Sequence, residues 1–324
     1  MALKAALHVF RVADAGLVLL KNHPDLEWTV SRDHQGLVAA AADADILVLN
    51  NRMCTPRLGQ DLRAVMSGRL KWIHFTTAGV ELGLAMGLPP GVPVTCSSGI
   101  NGPILAEHAM MLLLASLRRL NDIREGQRAH EWRRLQIVES MGSLEGATVC
   151  VFGLGAVGRD LARKLRAFDA RVVAVSRGGT DPAFDAVYPR ERMREALAIS
   201  DATIVCTNSD RSSYHMIDSS ALAAMKKGSV LVNVARGELV DEPALIAALR
   251  SGQVGAAGLD VTEPEPPAPD NPLFDMPNVI LSPHCAGGGS PAGTARRQAA
   301  LFGENLRRFR AGEPLLNLVD PDAA

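Results

Sequence analysis

The sequence predicts an α/β fold made of two doubly wound parallel sheets. Three observations predict it. In the middle of the chain, six short apolar runs alternate with helical segments. The first of these runs leads straight into a Gly-x-Gly-x-x-Gly turn that opens a helix. The first hundred residues repeat the alternation more weakly and carry no such turn. A chain of 324 residues that is 47% apolar has the length for two domains and the material for their cores.

Taken in order, the runs Ala5–Phe10, Trp28–Val30, Ile46–Leu49, Trp72–Phe75 and Val92–Thr95 read as strands of a first sheet. Gly87 to Pro93 is a loop, rich in Gly and Pro. Asn101-Gly-Pro103 then opens a long helix, Ile104 to about Leu120, with Asn101 as its N-cap. That helix is apolar almost all round, which predicts burial between domains or subunits.

The six central runs are Thr148–Phe152, Arg171–Ser176, Ala202–Thr207, Val230–Val234, Ala256–Val261 and Asn278–Ser282. They are rich in Val, Ile and Ala and do not alternate with polar residues, as suits parallel strands covered on both faces. Helices fall between them. Val157–Phe168 carries Leu161 and Leu165 one turn apart. Ser219–Met225 stops at Lys-Lys-Gly, and Glu242–Arg250 has Pro243 near its start and Gly252 just past its end. Strand–helix–strand repeated in this way is a doubly wound sheet. A last helix spans Pro291 to Arg310, and periodicity alone does not assign it to either domain.

Composition narrows the function. Net charge is −1, from 34 basic and 35 acidic residues, so no basic footprint for nucleic acid or an anionic membrane exists. Gly (29) and Pro (19) are scattered, which excludes collagen-like and low-complexity classes. The five cysteines, Cys54, Cys96, Cys150, Cys206 and Cys285, are odd in number and widely spaced, with no Cys-x-x-Cys. They predict neither a disulfide framework nor a cysteine zinc site. The longest apolar run, Ala109 to Leu117, is too short for a membrane span, and Lys4, Arg11 and Asp14 break any signal sequence. A reduced, cytoplasmic protein is expected.

Gly153-Leu-Gly155-Ala-Val-Gly158 sits inside a complete strand–helix–strand unit, the context that makes this short motif specific. Its glycines permit a tight turn, close approach of backbone to a pyrophosphate, and close packing of helix on strand. Free N–H groups at the helix start suit phosphates. Gly153, Gly155, Ala156, Val157 and Gly158 are therefore candidate dinucleotide-binding residues. The alternative is a tight turn with no ligand.

An NAD site usually places Asp or Glu about 20 residues on, to bind the ribose hydroxyls. Here the next strand ends in Ser176, 23 residues after Gly153, and Arg177 follows. A hydroxyl and a guanidinium suit a 2′-phosphate, so NADP(H) is the expected cofactor, with NAD(H) possible. The alternative is that Arg177 is a solvated surface residue.

Polar residues collect just past the carboxyl ends of later strands, the edge where open α/β sheets bind ligands. They are Arg236, Asp260, Glu265 and His284. Hydride addition to a ketone leaves negative charge on oxygen, and that oxygen needs a proton. His284 is the candidate donor. Glu265 is placed to hold the imidazole and favour its charged form, and Arg236 to clamp a carboxylate and polarise the adjacent carbonyl. Each has a bland reading: a structural histidine, a solvated glutamate, a surface arginine. All three at one ligand edge favour the chemical reading.

These residues resemble the D-isomer-specific 2-hydroxyacid dehydrogenases, nearest to the glyoxylate/hydroxypyruvate reductase branch. Four segments carry the likeness: Gly153 to Arg159, Val232 to Asp241, Gly258 to Pro266 and Asn278 to His284. The resemblance implies Arg236 for substrate and His284 paired with a glutamate as acid/base. Glu263 and Glu265 both precede a proline, and the family spacing of 29 residues after the arginine selects Glu265.

The resemblance further implies a Rossmann cofactor domain, 101–286, inserted into a flavodoxin-like substrate domain made of residues 1–100 and 287–324. The loop Thr76 to Val80 matches the segment whose backbone holds the substrate carboxylate, here through Ala78 and Gly79. Thr207, Ala235, Asp260 and His284 fall where the family meets its cofactor. A homodimer through Ile104–Leu120 is implied as well. The chain departs from the family at Thr207-Asn-Ser-Asp210, where a Pro-Leu-Thr-like turn is usual, and in the glycine run 287–289.

His108 reads as packed or interfacial, and His8 and His74 show no metal spacing. Cys285 reads as a small packing residue, and Trp132 as either a pocket residue or packing at the domain junction. A second reading of the whole is a dinucleotide-sensing binding protein, like the corepressors that share this fold. The disordered tails of such a scaffold are missing here. A formate dehydrogenase is disfavoured by Glu265, where those enzymes carry Gln.

Overall fold

The computed structural model describes residues 2–9, 16–66, 68–288 and 291–319. Phe10, Arg11, Asp14 and Gly289, which entered the sequence reading, lie outside the described residues. The chain divides into two compact units, Met1–Ile100 with Gly289–Ala324, and Asn101–Gly288.

In the first unit, β1 (Lys4–His8), β2 (Glu27–Ser31), β3 (Ile46–Leu49), β4 (Trp72–Phe75) and β5 (Val94–Cys96) form one sheet in the order β2-β1-β3-β4-β5. Every pairing is parallel. Buried Leu, Ile, Val and Phe on β1, β3 and β4 explain why these runs read as continuous rather than alternating. The helix His34–Ala41 starts at Asp33, whose carboxylate accepts the Gly36 N–H at 2.7 Å. The helix Pro56–Val65 starts at Thr55 in the same way. The C-terminal helix, Pro291–Ala311, packs in this unit: Phe302 is fully buried and stacks on Trp72, with centroids 5.0 Å apart.

In the second unit, β6 (Thr148–Phe152), β7 (Arg171–Ser176), β8 (Ala186–Pro189), β9 (Ala202–Val205), β10 (Ser229–Asn233), β11 (Val254–Leu259) and β12 (Val279–Leu281) form the larger sheet. Its order is β12-β11-β10-β9-β6-β7-β8, again all parallel. The order reverses between β6 and β9, so the switch point lies where the glycine turn is.

Two elements differ from the sequence reading. The edge strand β8 was not foreseen, because its residues are half-buried and it ends in Pro189. The long helix runs Gly102–Leu117 rather than to Leu120: Arg119 adopts a left-handed conformation (φ 56°), and a separate helix, Leu120–Ala129, begins there. Asn101 precedes that helix, but its side chain makes no capping bond.

Candidate functional site

The glycine turn follows β6 directly. Gly153 has φ 118° and turns the chain, and the helix Ala156–Arg166 starts three residues later with no side-chain cap. Its first N–H groups are thus left for a ligand. A Cβ on Gly158 would lie 2.0 Å from the Gly153 carbonyl oxygen, so only glycine lets this helix rest on the strand end. A Cβ on Gly155 would meet nothing within 4 Å; its bareness serves no contact inside the protein. Gly102 lies so close to Ala156 that a Cβ there would sit 3.1 Å away, which brings the start of the helix Gly102–Leu117 beside this turn.

A cavity of about 200 Å³ opens at this edge, lined by Gly153, Gly155, Ser176, Arg177, Thr207 and Asp210 among others. A glycine cradle, an uncapped helix start and the ends of β7 and β9 around one cavity fit the phosphates and ribose of a dinucleotide. Val157, in the first helical turn, is half-buried behind the cradle. A carboxylate does reach the cavity, from a loop where sequence reasoning did not look. Asp210 follows β9, and its Oδ2 accepts from the Arg177 guanidinium at 2.9 Å. Hydrogen bonds from Ser212, then the Arg177 charge, hold its carboxyl below the usual range. Arg190, after the unforeseen β8, lines the same cavity.

The chemical groups gather on the later strands. His284 Nδ1 and Glu265 Oε1 are 2.5 Å apart, with both side chains about two-fifths exposed. Glu263 turns elsewhere and meets His215 Nε2 at 2.7 Å. His284 itself is held in the left-handed region, φ 48°. Its N–H donates to the Asp260 carbonyl at 2.8 Å. The Asp260 carboxylate, buried with the side chain 1% exposed, accepts from the N–H groups of Cys285 (3.0 Å) and Ala286 (2.9 Å) and from the Ser282 hydroxyl (2.5 Å). His108 reaches the same knot, with Nε2 2.9 Å from Ser282 Oγ. Cys285 is exposed rather than packed. Desolvation and the Asp260 carboxylate push its thiol up.

Arg236 follows β10. Buried Asn233 shapes the turn, accepting the Ala235 N–H at 3.0 Å and donating to the Arg236 carbonyl at 2.9 Å. The Arg236 guanidinium donates to the Ala235 carbonyl at 2.8 Å. A Cβ on Gly237 would come 2.0 Å from the Thr262 carbonyl oxygen, so this glycine lets the arginine's loop lie directly against the loop that carries Glu265.

Ala78 and Gly79 belong to the first unit, at the carboxyl end of β4. The Thr77 hydroxyl donates to the Gly79 carbonyl at 2.7 Å and closes the turn. Neither the Ala78 nor the Gly79 N–H donates to another group among the described residues. Trp132 is 92% exposed and lines neither the glycine cradle's cavity nor the His284 pair.

Comparison with known proteins places the chain in a family. The family model for the NAD-binding domain of D-isomer-specific 2-hydroxyacid dehydrogenases matches residues 110–286. The chain is 34% identical to D-3-phosphoglycerate dehydrogenase of Mycobacterium leprae over 99% of its own length and 60% of that protein. It thus spans about three-fifths of the mycobacterial relatives it matches. It is 30% identical to glyoxylate reductase of Thermococcus kodakarensis, covering 96% of this chain and 94% of that one. Among solved structures it is similar to a D-isomer-specific 2-hydroxyacid dehydrogenase of Xanthobacter autotrophicus in complex with NADPH, at TM-score 0.83 and 29% identity, covering 99% of this chain and 98% of that one. An NADPH-dependent glyoxylate/hydroxypyruvate reductase of Sinorhizobium meliloti, in complex with NADP, gives TM-score 0.83 at 25% identity, with 100% and 99% covered.

Proposed function

The chain belongs to the D-isomer-specific 2-hydroxyacid dehydrogenase family, and from that premise we propose that it reduces a small 2-keto acid, of the glyoxylate or hydroxypyruvate kind, to the D-2-hydroxy acid with NADPH. The observation that carries this reading is the Glu265–His284 pair at 2.5 Å, at the carboxyl edge of the sheet that holds the glycine cradle. The relatives named glyoxylate reductase and the NADPH and NADP complexes of similar structures support the substrate class and the cofactor.

Bound NADPH supplies a hydride to the carbonyl carbon. Arg236 binds the substrate carboxylate and polarises the adjacent C=O, because a guanidinium matches both oxygens at once. The N–H groups of Ala78 and Gly79 hold the carboxylate at no cost in side-chain entropy. As the C=O electron pair moves onto oxygen, His284 Nε2 gives that oxygen its proton. Glu265, bonded to Nδ1, fixes the ring so that Nε2 is the atom that donates. Oxidation of the hydroxy acid runs the same steps backward, with His284 taking the proton.

On the cofactor side, Gly153, Gly155, Ala156, Val157 and Gly158 cradle the pyrophosphate, and Ser176 and Arg177 take the 2′-phosphate. Thr207, Ala235 and Asp260 border the nicotinamide half. Exposed apolar side chains at Met111, Ile123, Leu135 and Val138 support a homodimer through the helix Gly102–Leu117 and the segment after it. No helix among the described residues is long and apolar enough to cross a membrane. The five unpaired cysteines support a reduced, cytoplasmic setting.

The test is the initial rate of NADPH oxidation, with NADH in parallel, on glyoxylate, hydroxypyruvate, pyruvate, phenylpyruvate and 3-phosphohydroxypyruvate. Fast NADPH turnover on an unphosphorylated keto acid is expected. Turnover with NADH alone would keep the reaction and discard the cofactor reading. Turnover of the phosphorylated acid alone would move the substrate to that of the mycobacterial relatives. No turnover by folded, dinucleotide-binding protein would favour a sensing role.

A further inference from the structure

We infer that Asp210 is a second determinant of cofactor choice: from the loop after β9 it supplies the ribose-binding carboxylate that the end of β7 lacks, so that one pocket accepts either dinucleotide. The inference rests on the reading of Ser176 and Arg177 as the adenosine-ribose end of the site, and it goes further by naming what opposes them.

Asp210 lines the same cavity as Gly153, Gly155 and Ser176. It stands at the end of Thr207-Asn-Ser-Asp210, the loop that follows β9. Its carboxylate cannot turn away. Oδ1 accepts the Ser212 N–H at 2.9 Å and the Ser212 hydroxyl at 2.6 Å, which caps the short turn Arg211–Ser213. The remaining oxygen, Oδ2, is left to meet Arg177 at 2.9 Å, and both residues line the cavity.

The two partners are unequal. The Asp210 side chain is 30% exposed and pinned by serines; that of Arg177 is 75% exposed on a long flexible stem. An ion pair this open is weak, so the guanidinium leaves it at little cost. Register places a second cation beside it. Pro189 of β8 pairs with Ser176 of β7, so Arg190 and Arg177 follow on neighbouring strands. Arg190 donates to the carbonyl (3.1 Å) and hydroxyl (2.8 Å) of Ser212, the residue that also grips Asp210. Two guanidiniums and one carboxylate therefore face one small cavity.

The consequence differs for each dinucleotide. With NADPH, Arg177 turns from Asp210 to the 2′-phosphate and Arg190 adds a second charge, while the fixed carboxylate repels the dianion. With NADH, no phosphate draws Arg177 away, and Oδ2 accepts from a ribose hydroxyl, as the acid at the end of β7 does in NAD sites. Preference is then a balance between Arg177 and Asp210 rather than a property of β7 alone.

The test is direct binding of NADPH and NADH to the purified protein, by titration calorimetry without substrate. Asp210→Asn keeps the capping oxygen and removes the charge. It should weaken NADH about tenfold, the scale of one charged hydrogen bond, and tighten NADPH about threefold. Arg177→Ala should weaken NADPH about 30-fold, while uncovering Oδ2 and so tightening NADH about threefold. This second variant tests Asp210 with its own side chain intact, should Asp210→Asn fold poorly. If Asp210→Asn weakens NADPH as well, the carboxylate only orients Arg177 and the inference is overturned; it is equally overturned if Asp210→Asn moves neither constant. If Arg177→Ala leaves NADPH binding unchanged, the reading of Ser176 and Arg177 fails instead, a result distinct from either.

Discussion

The backbone N–H of His284 donates to the backbone carbonyl of Asp260 at 2.8 Å, and the Asp260 carboxylate closes the same loop by accepting the next two N–H groups, those of Cys285 and Ala286. One buried aspartate thus holds the histidine in a left-handed conformation that its own side chain disfavours. Asp260→Asn keeps the size and loses the charge. It should destabilise the protein by about 2 kcal/mol, the cost of weakening several charge-assisted bonds in a buried site. That corresponds to a melting temperature about 5 °C lower, and kcat should fall about tenfold or more as the imidazole loses its aim. Calorimetry and kinetics on one preparation check both. An unchanged kcat in a destabilised protein would make Asp260 structural only.

The two histidine–glutamate pairs make a sharper comparison. His284→Ala should lower kcat by about 100- to 10,000-fold, the usual range for loss of a general acid. Glu265→Gln should cost about ten- to 100-fold, because it acts only through the ring. Combined with His284→Ala, it should add less than about threefold, since the two residues act as a unit. Glu263→Gln, which breaks the pair with His215, should leave kcat within about threefold. A Glu263 variant as damaged as the Glu265 variant would reassign the partner.

Two glycines of one motif should fail in different ways. Gly158→Ala drives a Cβ to 2.0 Å from the Gly153 carbonyl oxygen, so the helix must move off β6. Thermal stability and NADPH binding should fall together. Gly155→Ala meets nothing within 4 Å in the protein, so its melting temperature should stay within about 2 °C, while NADPH binding weakens about tenfold or more. Loss of stability in Gly155→Ala would show that this glycine serves the fold and not a ligand.

Much of this was legible before any coordinates. Runs such as Val149–Val151 and Leu231–Val232 are fully buried on both faces, and that burial writes itself as unbroken apolar sequence. The glycine turn was readable because backbone geometry ties it to fixed residue types, and Glu265 was chosen over Glu263 by the spacing that the family resemblance implied. What stayed hidden depends on contacts across the chain. β8 has no fully buried residue to announce it, and Arg190 was invisible without it. Arg119 in a left-handed turn breaks a helix that propensity would carry on. Asp210 was missed because the carboxylate was sought on β7, while parallel pairing brings the ends of β7, β6 and β9 to one edge.

A last expectation concerns acid. His74 lies wholly buried on β4, two residues before the loop that carries Ala78 and Gly79. The Trp72 indole N–H donates to Thr95 Oγ1 at 2.8 Å, and His74 Nδ1 lies 2.9 Å from the same hydroxyl. On its other side the ring's Nε2 faces Ser97 Oγ at 3.2 Å and the Gln298 amide nitrogen at 3.3 Å. Burial pushes the group down to about 3. In the unfolded chain the same histidine titrates near 6.5. Between these values the unfolded state binds a proton that the folded state refuses, so stability falls as pH falls, by at most about 1.4 kcal/mol per pH unit. Urea unfolding from pH 8 to pH 4 should show the native protein losing about 2 kcal/mol more than His74→Leu below pH 6.5. The variant should be the less stable at pH 8, having lost the Thr95 and Ser97 bonds, and the two curves should converge in acid. Parallel curves would mean that His74 keeps its ordinary proton affinity in the folded protein.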